Sequence, residues 1–175
     1  MSGLVHIYTG DGKGKTTAAI GLGVRACGRG MKVLMVQFLK GRKTGEMFAL
    51  DRLKPDFELC RQKETGKFSW DMTREELRGT TDEIKELFDY AFKEAMDGKR
   101  DMLILDEIMA SITCGFIPIE SVISLIRNKP LNLELVMTGR NAPFELVQLA
   151  DYTSEINAVK HPLEAGIPAR EGIEF

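Results

Sequence analysis

Histidine is nearly missing from this chain, and that is the first limit on its chemistry. Only His6 and His161 are present, without a partner set for acid–base catalysis or metal binding. His6 reads as a strand residue, and His161 is left open. Cysteine is scarce too. Cys27, Cys60 and Cys114 are odd in number, far apart and without C-x-x-C spacing, which excludes a disulfide framework and a cysteine zinc site and leaves them as small core residues. No apolar run approaches membrane-spanning length, and the N-terminus lacks the basic-then-apolar build of a signal peptide. A cytoplasmic protein is expected. There is no excess of charge either: the net charge is -2, with 29% charged and 43% hydrophobic residues, which argues against disorder and against a general nucleic-acid surface. Any anion is therefore bound locally. Internal repeats and low-complexity segments are absent, and 175 residues suffice for one well-buried core, so a single domain over 1–175 is expected.

What the chain does have is concentrated at its start. Leu4 to Thr17 reads L-V-H-I-Y-T-G-D-G-K-G-K-T-T: a β-rich run, a glycine turn, then a helix opening. Gly10, Gly12 and Gly14 allow positive φ and turn backbone N–H groups inward on an anion, and the helix N-terminus adds its positive end. Lys15 brings a full charge to phosphate, and the Thr16 hydroxyl stands where Mg²⁺ is held. Thr9 occupies the place of the first glycine of the usual G-x-x-x-x-G-K-[ST] pattern. A merely exposed basic turn would have no reason to be followed by Lys-Thr-Thr and an alanine-rich helix start.

The order of elements continues as β-α-β. Small residues from Ala18 to Ala26 suit close packing of the first helix on a sheet, and Gly28 and Gly30 end it. Val33 to Phe38 is a continuous apolar run, as for a parallel strand covered on both faces. The basic loop Leu39 to Gly45 follows at the carboxyl end of that strand, where open α/β sheets bind ligands. Next come a short helix from Glu46 to about Leu53, a strand near Phe57 to Cys60, and a polar loop carrying Phe68 and Trp70. A long amphipathic helix runs to Met96, starting at a capping box of either Thr73 with Glu76 or Thr80 with Glu83. Met102 to Leu105 is an apolar strand, Pro118 opens a helix to about Arg127, and Leu133 to Thr138 is again a strand. Asn141 is expected to cap a helix from Pro143 to about Ala150, Tyr152 to Ile156 to form a last strand, and 159–175 to be an irregular tail.

An apolar strand ending in Asp106-Glu107 is the second half of a P-loop site, since a carboxylate at that tip is held beside phosphate and Mg²⁺. Asp106 or Glu107 reaches the metal, directly or through water. Phe68 and Trp70, two apart, project to one side of an extended loop; they either pin that loop to the core or make a flat wall for a planar ligand. Arg140, in T-G-R after a strand, is placed to meet a phosphate or ribose oxygen. The expected fold is α/β, a mostly parallel sheet with helices on both faces, resembling the RecA-like type of P-loop NTPase.

The segments Y-T-G-D-G-K-G-K-T-T-A-A, V-Q-F-L-K-G, F-S-W, L-D-E, T-G-R and A-D-Y-T-S-E-I, with the tail V-K-H-P-L-E-A-G-I-P-A-R-E-G-I-E-F, resemble the P-loop ATP:corrinoid adenosyltransferases across nearly the whole chain. That resemblance implies transfer of the 5'-deoxyadenosyl group of ATP to the cobalt of a reduced corrinoid with release of triphosphate. It implies that Gly10, Asp11, Gly12, Lys13, Gly14, Lys15, Thr16 and Thr17 hold the triphosphate, with ATP reversed in the loop relative to most P-loop enzymes. Thr16 and Glu107 would serve Mg²⁺, Arg25 and Arg140 the nucleotide, and Phe68 and Trp70 would displace the lower axial ligand of cobalt. A homodimer and an electron-donor protein such as a flavodoxin are implied as well. Co(I) is itself a strong nucleophile, so the poverty in histidine fits, as does the absence of a D-x-H-x-x-G motif. Two departures are Asp11 in place of a common Asn and a start at the first strand, without the N-terminal extension of some members. Rival readings are a P-loop kinase for a small metabolite and a nucleotide-switched binding protein.

Overall fold

The computed structural model describes residues 2–40, 43–62 and 74–175. Six strands, β1 (Val5–Thr9), β2 (Val33–Gln37), β3 (Phe57–Arg61), β4 (Met102–Asp106), β5 (Glu134–Thr138) and β6 (Tyr152–Glu155), form one sheet. Their order is β3-β2-β4-β5-β1-β6, and every pairing is parallel. The expected mostly parallel sheet is thus wholly parallel. β5 stands between the glycine-loop strand β1 and the acidic strand β4. The helices are α1 (Lys15–Cys27), α2 (Gly45–Asp51), α3 (Arg74–Met96), α4 (Ile108–Thr113), α5 (Ile119–Asn128) and α6 (Phe144–Leu149).

The central strands read as unbroken apolar runs because both faces are covered. Successive side chains alternate between faces: Leu34, Val36, Leu103 and Leu105 join the core beneath α3 and α5, while Val33, Met35, Met102 and Ile104 face α1. α3 contributes Ile84, Leu87, Phe88, Ala91 and Ala95 to the first core, the spacing of an amphipathic helix. On the other face the small residues of α1 let it lie close. A Cβ on Gly23 would stand 2.5 Å from the Phe57 ring, so a side chain there would push helix from sheet. Each large side chain buried in these cores contributes roughly 1.5–3 kcal/mol.

Some expectations need correction. Of the three cysteines expected in the core, Cys27 and Cys60 are half-buried against its two sides and only Cys114 is exposed. Asn141 does not cap α6; it sits in a left-handed turn at φ 52, and Pro143 takes the N-cap position. Helix α4, directly after Asp106-Glu107, was not anticipated. α3 begins near the earlier of the two capping boxes and runs through Thr80; Thr73 itself, like Phe68 and Trp70, lies outside the described residues. No helix among the described residues is long and apolar enough to cross a membrane.

Candidate active site

Because the sheet is parallel, the loops after β1, β2, β4 and β5 gather at one edge, around a cleft of about 1050 Å³. The loop after β1 is held by its glycines. Gly10 adopts φ 97, and Gly12, whose N–H donates to Ile156 O at 2.7 Å, leaves no room for a Cβ against that backbone. Gly14, at φ 123, precedes α1 with no side-chain cap, and the first turn holds no acid. The first N–H groups of α1 have no partner within the helix and its opening residues line the cleft, an arrangement suited to an anion cradle.

Lys15 is buried and folded onto its own loop, donating to Gly10 O at 2.6 Å and Gly12 O at 2.9 Å. Burial lowers its pKa, with the Glu107 carboxylate opposing the shift. Lys13 reaches outward to Glu174 at 2.7 Å, Asp11 lies 3.7 Å from Arg140 Nε, and Thr17 lines the cleft.

Opposite the cradle, Asp106 is fully buried at the tip of β4. Its Oδ1 accepts from the hydroxyls of Thr16 at 2.8 Å and Thr138 at 2.7 Å. Its Oδ2 accepts from Gln37 at 3.2 Å and from the Lys40 ammonium at 2.7 Å. Sheet register explains part of this, since Gln37 of β2 is the pairing partner of Asp106. Glu107 turns left-handed at φ 62, its N–H donating to Thr138 Oγ1 at 3.0 Å. Burial, reinforced by the neighbouring Asp106 carboxylate, raises the Glu107 pKa.

The oxygens of Thr16, Asp106 and Glu107 are the hard donors Mg²⁺ takes alongside substrate phosphates. Two of the three already face a cation: the Lys40 ammonium lies 2.7 Å from Asp106 Oδ2 and 3.2 Å from Thr16 Oγ1. A cluster of three or more His, Cys, Asp or Glu suited to a metal does not occur among the described residues, so a cation here would depend on hydroxyl and phosphate oxygens as well.

The structure therefore brings Gly10 to Thr17, Asp106, Glu107 and Arg140 to one place. It does not bring Arg25, which is exposed in the last turn of α1 and is not among the residues lining the cleft. Sequence reading missed Gln37, Glu46, Thr138 and the individual role of Lys40. A glutamine inside the otherwise apolar V-L-M-V-Q-F run was the available signal. The tail also enters: His161 and the stretch Gly172, Ile173, Glu174 and Phe175 line the cleft.

Comparison with known proteins gives the family. A family model described as "ATP:corrinoid adenosyltransferase BtuR/CobO/CobP" matches residues 1–175. The corrinoid adenosyltransferase of Escherichia coli K12 is 36% identical over 99% of this chain and 86% of its own length. Corrinoid adenosyltransferase CobA of Salmonella typhimurium LT2 is 34% identical, with the same coverages. The corrinoid adenosyltransferase of Pseudomonas aeruginosa PAO1 is 32% identical over 99% of this chain and 84% of its own length. With a glycine loop after β1, a buried acid at the tip of β4 and a family model that matches residues 1–175, the chain belongs to the ATP:corrinoid adenosyltransferase family.

Proposed function

We propose that this enzyme moves the 5'-deoxyadenosyl group of ATP onto the cobalt of a reduced corrinoid and releases intact triphosphate. The observation that carries the site assignment is the meeting of an anion cradle with a buried carboxylate–hydroxyl pair that accepts a cation. In the reaction the electron pair of Co(I) attacks C5', a Co–C bond forms, and the C5'–O5' bond breaks. Its electrons leave on the triphosphate, and cobalt becomes formally Co(III). No proton need be taken from the nucleophile, so the protein's task is to orient C5' and stabilise the leaving group.

Gly10 to Gly14 and the N-terminus of α1 would bind the triphosphate, with Lys15 unfolding from its loop carbonyls to meet it and Lys13, Thr17 and Arg140 at its margin. Thr16, Asp106 and Glu107 would hold Mg²⁺. Magnesium, when bound, neutralises charge on the leaving oxygens. Phe68 and Trp70 as the apolar wall against the corrin, a flavodoxin-like electron donor and a homodimer are proposals that rest on the family resemblance alone. The nucleotide role that resemblance gives Arg25 draws no support from the cleft.

Product analysis tests the reading. With ATP and corrinoid chemically reduced to Co(I), triphosphate and the Co–C bonded product should appear in equal amounts. ADP formed without a Co–C bond would instead support a kinase, and ADP with phosphate released on addition of a partner protein would support a nucleotide switch.

A further inference from the structure

Lys40 is held in place more firmly than an incidental surface lysine. Leu39 before it turns left-handed at φ 56, and the Leu39 N–H donates to Gln62 Oε1 at 2.8 Å. The Arg61 guanidinium donates to the Lys40 carbonyl oxygen. Two side chains from the end of β3 thus fix the backbone that sends Lys40 across the sheet edge. Its ammonium arrives at Asp106 Oδ2 and Thr16 Oγ1, two of the oxygens assigned above to the divalent cation.

A carboxylate as buried as Asp106 needs a countercharge. Lys15 does not supply it by contact, because its ammonium donates to Gly10 O and Gly12 O. Lys40 does. Mg²⁺ binds oxygen at about 2.0–2.1 Å with strict octahedral demands, so an ammonium sharing the same two oxygens cannot remain beside it. The neighbourhood offers that ammonium another place. Glu46 Oε1 is 3.8 Å from Lys40 Nζ, and Gln37 Oε1 at the same strand tip is buried without a hydrogen-bond partner.

We propose that Lys40 is a built-in cation that occupies the metal seat between Thr16 and Asp106 until metal and nucleotide arrive together, and then withdraws toward Glu46 and the triphosphate. The exchange keeps Asp106 neutralised in both states and discourages metal from binding before ATP. It rests on the reading of Thr16 and Asp106 as the cation seat.

Mn²⁺ binding to the nucleotide-free protein, followed by electron paramagnetic resonance, tests both layers. Lys40→Met should bind Mn²⁺ at least about tenfold more tightly than the parent, because the competing charge is gone. Adding Asp106→Asn to that variant should remove the gain. Lys40→Gln, which keeps a hydrogen-bond donor for Asp106, stands in if the Met variant does not fold. If these variants bind Mn²⁺ no more tightly than the parent, while parent and variants all bind it once ATP is added, Lys40 is not a competitor and the exchange is wrong although the seat is right. If the parent with ATP binds no Mn²⁺, the seat itself is wrong and the exchange falls with it.

Discussion

The two edges of the sheet use polar residues in opposite ways. At the amino edge each polar group closes on a fixed partner. Glu134 accepts from the Leu4 N–H at 2.9 Å and contacts His6 Nε2 at 2.5 Å, Asp151 accepts from the Val5 N–H at 2.8 Å, and Lys129 donates to Gly3 O and Leu133 O. His6 also stacks on Tyr152, with ring centroids 4.7 Å apart. At the carboxyl edge lie Leu39, Glu107 and Asn141, the non-glycine residues of positive φ among those described. There too are a lysine folded on carbonyls, an acid with a raised pKa and an unpartnered Gln37 oxygen. Backbone strain and replaceable contacts gather where ligand must enter. The amino edge clamps strands, and the carboxyl edge is arranged to exchange partners.

The sharpest way to separate the edges is Lys15→Ala. Charge-assisted contacts contribute about 1.5–3 kcal/mol, and each 1.4 kcal/mol is tenfold, so turnover should fall roughly 10- to 100-fold or further. Thermal stability should change much less, because the burial that disfavours the Lys15 charge offsets the loss of its bonds to Gly10 O and Gly12 O. A variant with parental turnover would remove Lys15 from the phosphate site.

Glu107→Gln should come next, raising the Mg²⁺ concentration for half-maximal activity by about tenfold, the scale of one lost charge near a cation. The raised pKa sets a sign as well. Above the ordinary carboxylate value of 4.5, folded Glu107 keeps a proton that the unfolded chain has lost, so its contribution to stability declines as pH rises through the folded pKa. Metal affinity should rise over the same interval, since the cation must replace that proton. Both trends should vanish in Glu107→Gln; an unchanged metal titration would shift the role to Asp106.

At the amino edge the expected balance is reversed. Glu134→Ala strands the Leu4 N–H and removes the contact with His6, at a cost of about 1–3 kcal/mol. In a chain of this size that lowers the melting temperature by several degrees. Kinetic constants of the folded enzyme should stay at parental values, and a changed KM for ATP would show that the two edges are coupled.

Legibility in the sequence follows the same division. The strands were readable because burial on both faces leaves continuous apolar runs, and α3 because its apolar residues keep a helical period. Helix α4 was not: six residues, I-M-A-S-I-T, start from a left-handed Glu107 with no side-chain cap, so neither period nor cap announces them. Asn141 had the right residue type for a cap, but the left-handed turn claimed it first. Within the site, Lys15, Thr16 and Asp106 stood out through motif spacing. Gln37 and Lys40 did not, because β2 becomes the neighbour of β4 only through a strand order unlike the chain order. Arg25 shows the converse. Ten residues beyond Lys15 on one helix is about 15 Å of rise, a distance that a motif match does not register.

The smallest expected effect lies where the carboxyl edge meets the tail. Glu174 pairs with Lys13 at 2.7 Å and with Arg170 at 3.2 Å. Hydrogen bonds from Arg170 and then Lys13 hold its carboxyl down to about 2. The contact should therefore persist through neutral pH and be lost only as pH falls from about 4.5 toward about 2. A carboxylate on Lys13 stands where a phosphate oxygen would otherwise compete. Glu174→Gln should thus tighten ATP binding about two- to threefold at low ionic strength, with the gain fading as salt screens the exposed charges. Titration calorimetry in low and high salt would measure both. If the variant instead bound ATP more weakly, the tail would be acting as part of the nucleotide site, and the carboxyl edge would extend to Gly172, Ile173 and Phe175 as ligand-holding groups.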